Sequence, residues 1–190
     1  MDDSEMDYEE LGAAVAHELV ADETQAPDCR TTAASLAIGN SSRALHADLT
    51  ALLDVARSAG NTFSDRLQRV YHHNISAEIR KELDAMYTKG SEFKDKAMFK
   101  PGAPLTASTE VQRVAQDVKT HSKSARDKLE VERCRQWMIL QPGMQNQFEA
   151  LHGVVYCLAQ IDSLVKSALD RRNEILRAEM LLSQQQVKYL

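Results

Sequence analysis

Aromatic residues are scarce in this chain: Phe, Tyr and Trp make up 5 % of its 190 residues. Rings usually supply much of the bulk of a compact globular core. Here that volume must come from Leu, Val, Ile, Ala and Met, side chains that suit narrow seams between helices. Proline and glycine are also sparse, four and seven in all, with no glycine between Gly102 and Gly143. So few breakers are the mark of a helical chain. Long apolar runs are missing as well. The best, VVYCLAQI at 154–161, falls far short of the ~18–20 apolar residues a membrane span needs. A secretory leader needs a basic start before an apolar stretch, and MDDSEMDYEE is the opposite. The three cysteines, Cys29, Cys134 and Cys157, form no CxxC pair and no even framework, which reads as reduced thiols in a cytoplasmic or nuclear protein.

Lys and Arg are absent from the first 29 residues, which hold ten acids. The remainder carries 18 acids against 23 bases, so an acidic arm precedes a mildly basic body. Hydrophobic residues at 43 % and charged residues at 27 % are enough for a core and argue against general disorder.

Within the arm, Tyr8, Leu11, Val15 and Leu19 fall at steps of three, four and four, one apolar edge of a short helix. Residues 24–42, with Pro27 and GNSS at 39–42, read as a flexible linker closing on a cap at Ser41 or Ser42. From Arg43 the pattern strengthens. Leu45, Leu49, Leu52, Ala56, Ala59 and Phe63 alternate fours and threes, Leu67 and Val70 follow with a one-step offset, and Ile79, Leu83, Met86, Gly90, Phe93 and Ala97 resume. Such alternation is a coiled-coil seam. It predicts one helix over about 43–98 with a bend or break near Gly60. KPGAPLTAST at 100–109 is a loop with Pro101-Gly102 set for a turn. A helix over 108–140 then carries Val111, Val114, Val118, Ser122, Ala125 and Leu129, and a last helix spans 144–187. Pro142-Gly143 between them either reverses the chain or kinks one long rod.

Signs of chemistry are weak. Glu149-x-x-His152 is half of a di-iron helix motif, and no second copy completes it. His72 and His73 are neighbours, pointing about 100° apart on a helix, and cannot easily share a metal. No HExxH, GxSxG, GxxxxGK[ST] or GxGxxG occurs. Neither catalytic nor metal-binding residues, nor a cofactor, are expected. The most basic window, 119–135, holds Lys119, Lys123, Arg126, Lys128, Arg133 and Arg135, diluted by Asp127, Glu130 and Glu132. Arg171, Arg172 and Arg177 form a second small cluster. Nucleic acid or a membrane surface is thus only weakly suggested.

The sequence therefore predicts an all-α protein: an elongated antiparallel bundle or coiled-coil hairpin of long helices over 43–187, behind a disordered or partly helical acidic arm and linker over 1–42. The expected function is non-enzymatic, a helical subunit that joins or bridges a larger intracellular complex through coiled-coil packing. The alternative is a helical bundle that binds acidic lipid or nucleic acid through its basic faces. The last helix has a stripe wider than one seam requires: Phe148, Leu151, Val155, Leu158, Ile161, Val165, Leu169, Leu176 and Met180. One intramolecular neighbour and one from another chain would cover it. Tyr8, Leu11, Val15 and Leu19 form a second candidate docking edge. Partners are expected to be other helical chains, in a hetero-oligomer rather than a homodimer.

Overall fold

The computed structural model describes residues 27–134 and 143–188. They form four long helices and no strand. Helix α1 spans Pro27–Thr62 and runs on into a π-helical turn, Phe63–Leu67; α2 spans His73–Ala97, α3 Ser108–Cys134 and α4 Gln145–Lys188. Helix α4, with 44 residues, is ~66 Å long at 1.5 Å per residue. The most extensive pairings are α1 with α4 and α2 with α3, and α1–α2 and α3–α4 close the ring. All four pairs are antiparallel, since contacts advance along one helix as they retreat along its neighbour: Ser41 meets Glu174 and Asp48 meets Ser167. The result is an elongated up-down-up-down bundle.

The seams read from the sequence are the core. Leu45, Leu49, Leu52, Ala56, Ala59 and Phe63 of α1 are buried, as are Ile79, Leu83, Met86, Phe93 and Ala97 of α2 and Val111, Val114, Val118, Ala125 and Leu129 of α3. Ser122, the polar member of the α3 seam, is buried and donates to the carbonyl oxygen of Leu158 at 3.0 Å, which satisfies its hydroxyl across α3–α4. Gly90 lets α1 and α2 approach closely. A β-carbon there would lie 3.3 Å from side-chain carbons of both Leu52 and Leu53.

Two boundaries differ from expectation. The expected rod over 43–98 turns back at 68–72 instead of bending near Gly60, which sits inside α1. In the π turn the Gln68 N–H donates to the carbonyl of Phe63 at 2.9 Å. That five-residue step widens the turn, so Phe63, Leu67 and Tyr71, four apart, all face inward. The one-step offset in the seam is its trace in the sequence. His72 then adopts an extended ψ of 142° before α2, and the Ser76 hydroxyl donates to the Gln68 carbonyl at 3.0 Å.

Nor is 27–42 a linker, for α1 begins at Pro27. Proline is tolerated at a first helical position, Ala33, Ala34 and Ala37 favour helix, and half-buried Ile38 lies seven residues before Leu45 on the same face. Arg43 donates to Asn40 Oδ1 at 2.7 Å and the Ser41 hydroxyl to Glu174 at 2.9 Å. Packing on α4 thus overrides the weak helix propensity of GNSS. The glycines of both Pro-Gly pairs stand at reversals. Gly102 has φ +76°, with the Ala103 N–H donating to the Lys100 carbonyl at 3.1 Å, and Gly143 has φ +103° between antiparallel α3 and α4. The expected end of the third helix, 135–140, lies outside the described residues.

Candidate interaction surface

Helices α2 and α3 stop where Arg172 of α4 crosses their connection. Its side chain, 2 % exposed, donates to the carbonyls of Ala97 (3.2 Å) and Thr106. These bonds cap the end of α2 and hold the loop over 98–107, and burial pulls the guanidinium pKa below its ordinary value, partly countered by Glu179. Past this point α1 and α4 continue as a pair. From Arg172 to Lys188 the extension is ~24 Å long. Its own seam is thin: Ile175 and Ala178 are buried, while Ile38 and Leu182 are half-buried.

Most of the large apolar side chains that face solvent gather on this extension. Leu36 is 62 % exposed, Met180 62 %, Leu181 53 % and Val187 74 %; only Val131, Phe148 and Tyr156 stand exposed elsewhere among the described residues. Half-buried Leu176 with Met180 and Val187 falls at steps of four and seven, one face of α4. Lower down, that side of α4 meets α3. Here α3 has ended, so the stripe continues without its cover.

Below the stripe, between α3 and α4, runs an open groove of about 840 Å³, lined by Lys119, Lys123, Lys128 and Lys166 together with Asp127 and Asp162. Lys128 is committed elsewhere, to Glu82 at 3.0 Å and Glu78 at 3.9 Å. Lys119, Lys123 and Lys166 make no ion pair among the described residues. Lys166 stands fourteen residues before Met180, close to four turns, so groove and stripe share one side of α4.

The α2–α3 seam is sealed by contrast. Glu82 accepts from His121 Nδ1 at 2.7 Å and from Lys128 at 3.0 Å; an ionised carboxylate only accepts, so Nδ1 bears the hydrogen. Burial pushes the Glu82 pKa up, but the bonds from His121, Lys128 and Ser124 and the Lys128 charge outweigh it, holding it down to about 2. Farther along, Lys89 bridges Glu92 (2.7 Å) and Asp117 (4.0 Å), and Lys96 pairs with Glu110.

The sequence-derived candidates divide. Leu151, Leu158, Ile161 and Val165 are buried in the chain's own bundle, Val155, Leu169 and Leu176 are half-buried, and only Phe148 and Met180 are exposed. The wide stripe of α4 is used within the chain, α1 covering one side and α3 the other. Tyr8, Leu11, Val15 and Leu19 lie outside the described residues. Leu36, Leu181, Val187 and Lys166 escaped the sequence reading, because nothing in it shows where α2 and α3 end relative to α4. Glu149, His152, His72 and His73 are exposed, with the Phe148 ring against His152. No group of three His, Cys, Asp or Glu able to hold a metal occurs among the described residues, and no helix there is long and apolar enough to cross a membrane. No protein-family model, curated protein or solved structure matches this chain.

Proposed function

We propose that the protein is a non-enzymatic helical subunit that joins or bridges a larger intracellular assembly, and that it does so through the α1–α4 extension. One observation carries this reading: the four-helix block buries its seams, while the extension presents Leu36, Met180, Leu181 and Val187 to water. Clustered exposed apolar side chains mark surfaces that are covered in use. A partner helix laid along Leu176, Met180 and Val187 would occupy the position that α3 holds lower on α4. The cysteines fit a reducing compartment, with Cys29 and Cys157 present as thiols, and a cytoplasmic or nuclear setting is part of the proposal.

A photo-crosslinking residue placed at Met180, compared with one at the exposed Lys81 of α2, tests this in extracts of cells that make the protein. A discrete adduct formed from position 180 and not from 81 is expected, and it persists at about 1 M salt, where surface charge is screened. Equal labelling at both positions, or none, rejects the reading. The second reading, binding of acidic lipid or nucleic acid, is favoured by Lys119, Lys123 and Lys166 of the groove, which make no ion pair among the described residues. It predicts association that collapses with added salt.

A further inference from the structure

We infer that two copies of this chain pair through their extensions, laid face to face and antiparallel about a two-fold axis at Met180. The inference rests on the reading of the extension as an interaction surface and names a second copy as its occupant. Residue spacing alone favours an unlike chain; the fold adds a midpoint that the spacing lacks.

The four-helix block shows what covers an α1–α4 pair. There α3 lies antiparallel along α4 and α2 antiparallel along α1, so each helix of the ring runs opposite to its neighbours. Past Arg172 that cover is gone. A two-fold axis set across the helices, in the plane between two extensions, restores it. The partner's α4 then lies antiparallel on α4 in the place of α3, and the partner's α1 lies on α1 in the place of α2.

Length sets the position of the axis. The extension runs from Arg172 to Lys188. When each tip advances to the other copy's 98–107 loop, the overlap is complete and the axis falls midway, at residue 180. The apolar pattern gives the same centre independently. Leu176 stands four residues before Met180 and Val187 seven after it. The two-fold reverses that order in the second copy. The joint seam therefore reads the partner's Val187, Leu176, both Met180 side chains, the partner's Leu176 and Val187, at steps of three, four, four and three. Side chains from the two copies interdigitate instead of colliding. The α1–α4 register sets residue 35 level with residue 180, so α1 brings small residues, Ala34 and Ser35, to the axis. An overlap of ~24 Å by two helix widths of ~10 Å each buries ~1,000 Å² over both copies. Specific interfaces begin at about that size, and those at the lower limit are weak.

Sedimentation equilibrium of the full chain tests the pairing. The mass is expected to rise from 21.3 kDa towards twice that value, with a dissociation constant of about 10–100 µM, as suits so small an interface. Met180→Asp, which sets two carboxylates together on the axis and leaves helix content unaltered by circular dichroism, should weaken it about tenfold or more. Tyr156→Asp, an equally exposed site lower on α4, should leave it within about twofold. The register has its own test, in chains whose three cysteines are replaced by serine. The axis sets residue 176 of one copy ~4.5 Å along the helix from residue 187 of the other, and the two 187 positions ~21 Å apart. A short bis-maleimide should therefore couple an equal mixture of Leu176→Cys and Val187→Cys chains into mixed dimers, and leave Val187→Cys alone uncoupled. A chain monomeric at every concentration, a dissociation constant unmoved by Met180→Asp, or Val187→Cys coupling to itself in excess overturns the inference. A monomeric chain that still forms a position-180 adduct with a different protein overturns the pairing and keeps the assembly reading.

Discussion

The α2–α3 pair and the α1–α4 pair are both antiparallel helix pairs of similar make-up, yet they end differently. Along α2–α3 one edge is laced from end to end: Glu82 to His121 and Lys128, Lys89 to Glu92 and Asp117, Lys96 to Glu110. Individually such pairs add little where solvent reaches them. Together they match the charges along that edge within the chain. The α1–α4 pair relies on hydroxyl–carboxylate bonds, Ser41 to Glu174 and Ser167 to Asp48, and outlasts its neighbours by ~24 Å. Polar groups matched within the chain close a surface, and apolar groups left beyond the last neighbour open one.

Mutations can break the contrast, beginning with the block. Phe93→Ala removes a fully buried ring and should destabilise the fold by about 3–5 kcal/mol, the usual cost of deleting a core phenylalanine, read as a lower denaturation midpoint with an unchanged slope. A shift below 1 kcal/mol would mean that the seam is not the source of stability.

The laced edge should answer less strongly and depend on pH. Because the Glu82 pKa is depressed in the folded chain to about 2, its contribution is fully present above the ordinary carboxylate range and is lost as pH falls through roughly 4.5 towards 2. Glu82→Gln should therefore cost about 2 kcal/mol at neutral pH, typical of hydrogen bonds to a charged group. The gap between wild type and variant should close on acidification. A constant gap from pH 7 to 3 would show that the charge is immaterial.

The smallest effect belongs to the extension. Met180→Gln alters a side chain that is 62 % exposed and should change stability by no more than about 0.5 kcal/mol, as surface substitutions do. The same change should weaken whatever docks there. If it unfolds the chain instead, the extension is core and the contrast fails.

Much of this fold is legible in the residue spacing. The alternating threes and fours placed Leu45 through Phe63, Ile79 through Ala97 and Val111 through Leu129 on buried faces, and the Pro-Gly pairs marked two of the three reversals. The third reversal was hidden, because no proline or glycine stands at 68–72 and the π turn appears only as the one-step offset with which Leu67 and Val70 follow Phe63. Gly60 drew attention in its place, though a glycine inside a packed helix is merely costly. The start of α1 was hidden for another reason: Gly39, Asn40 and Ser41 are poor helix formers whose conformation is decided by α4, 133 residues from Ser41 in sequence. The candidate surface was half legible. Met180 and Leu176 stood in the stripe, but only the point where α2 and α3 stop separates them from Leu158 and Ile161, which share their periodicity and are buried.

After Gly153, α4 contains neither glycine nor proline, the usual origins of a kink. It is an unjointed strut, ~50 Å from Val154 to Lys188. A load applied at Val187 is handed to the Ser122–Leu158 crossing without an intervening hinge. Anything seated at the tip is thereby kept at a set spacing and angle from anything gripping the far end, and the molecule would behave as a gauge block instead of a leash.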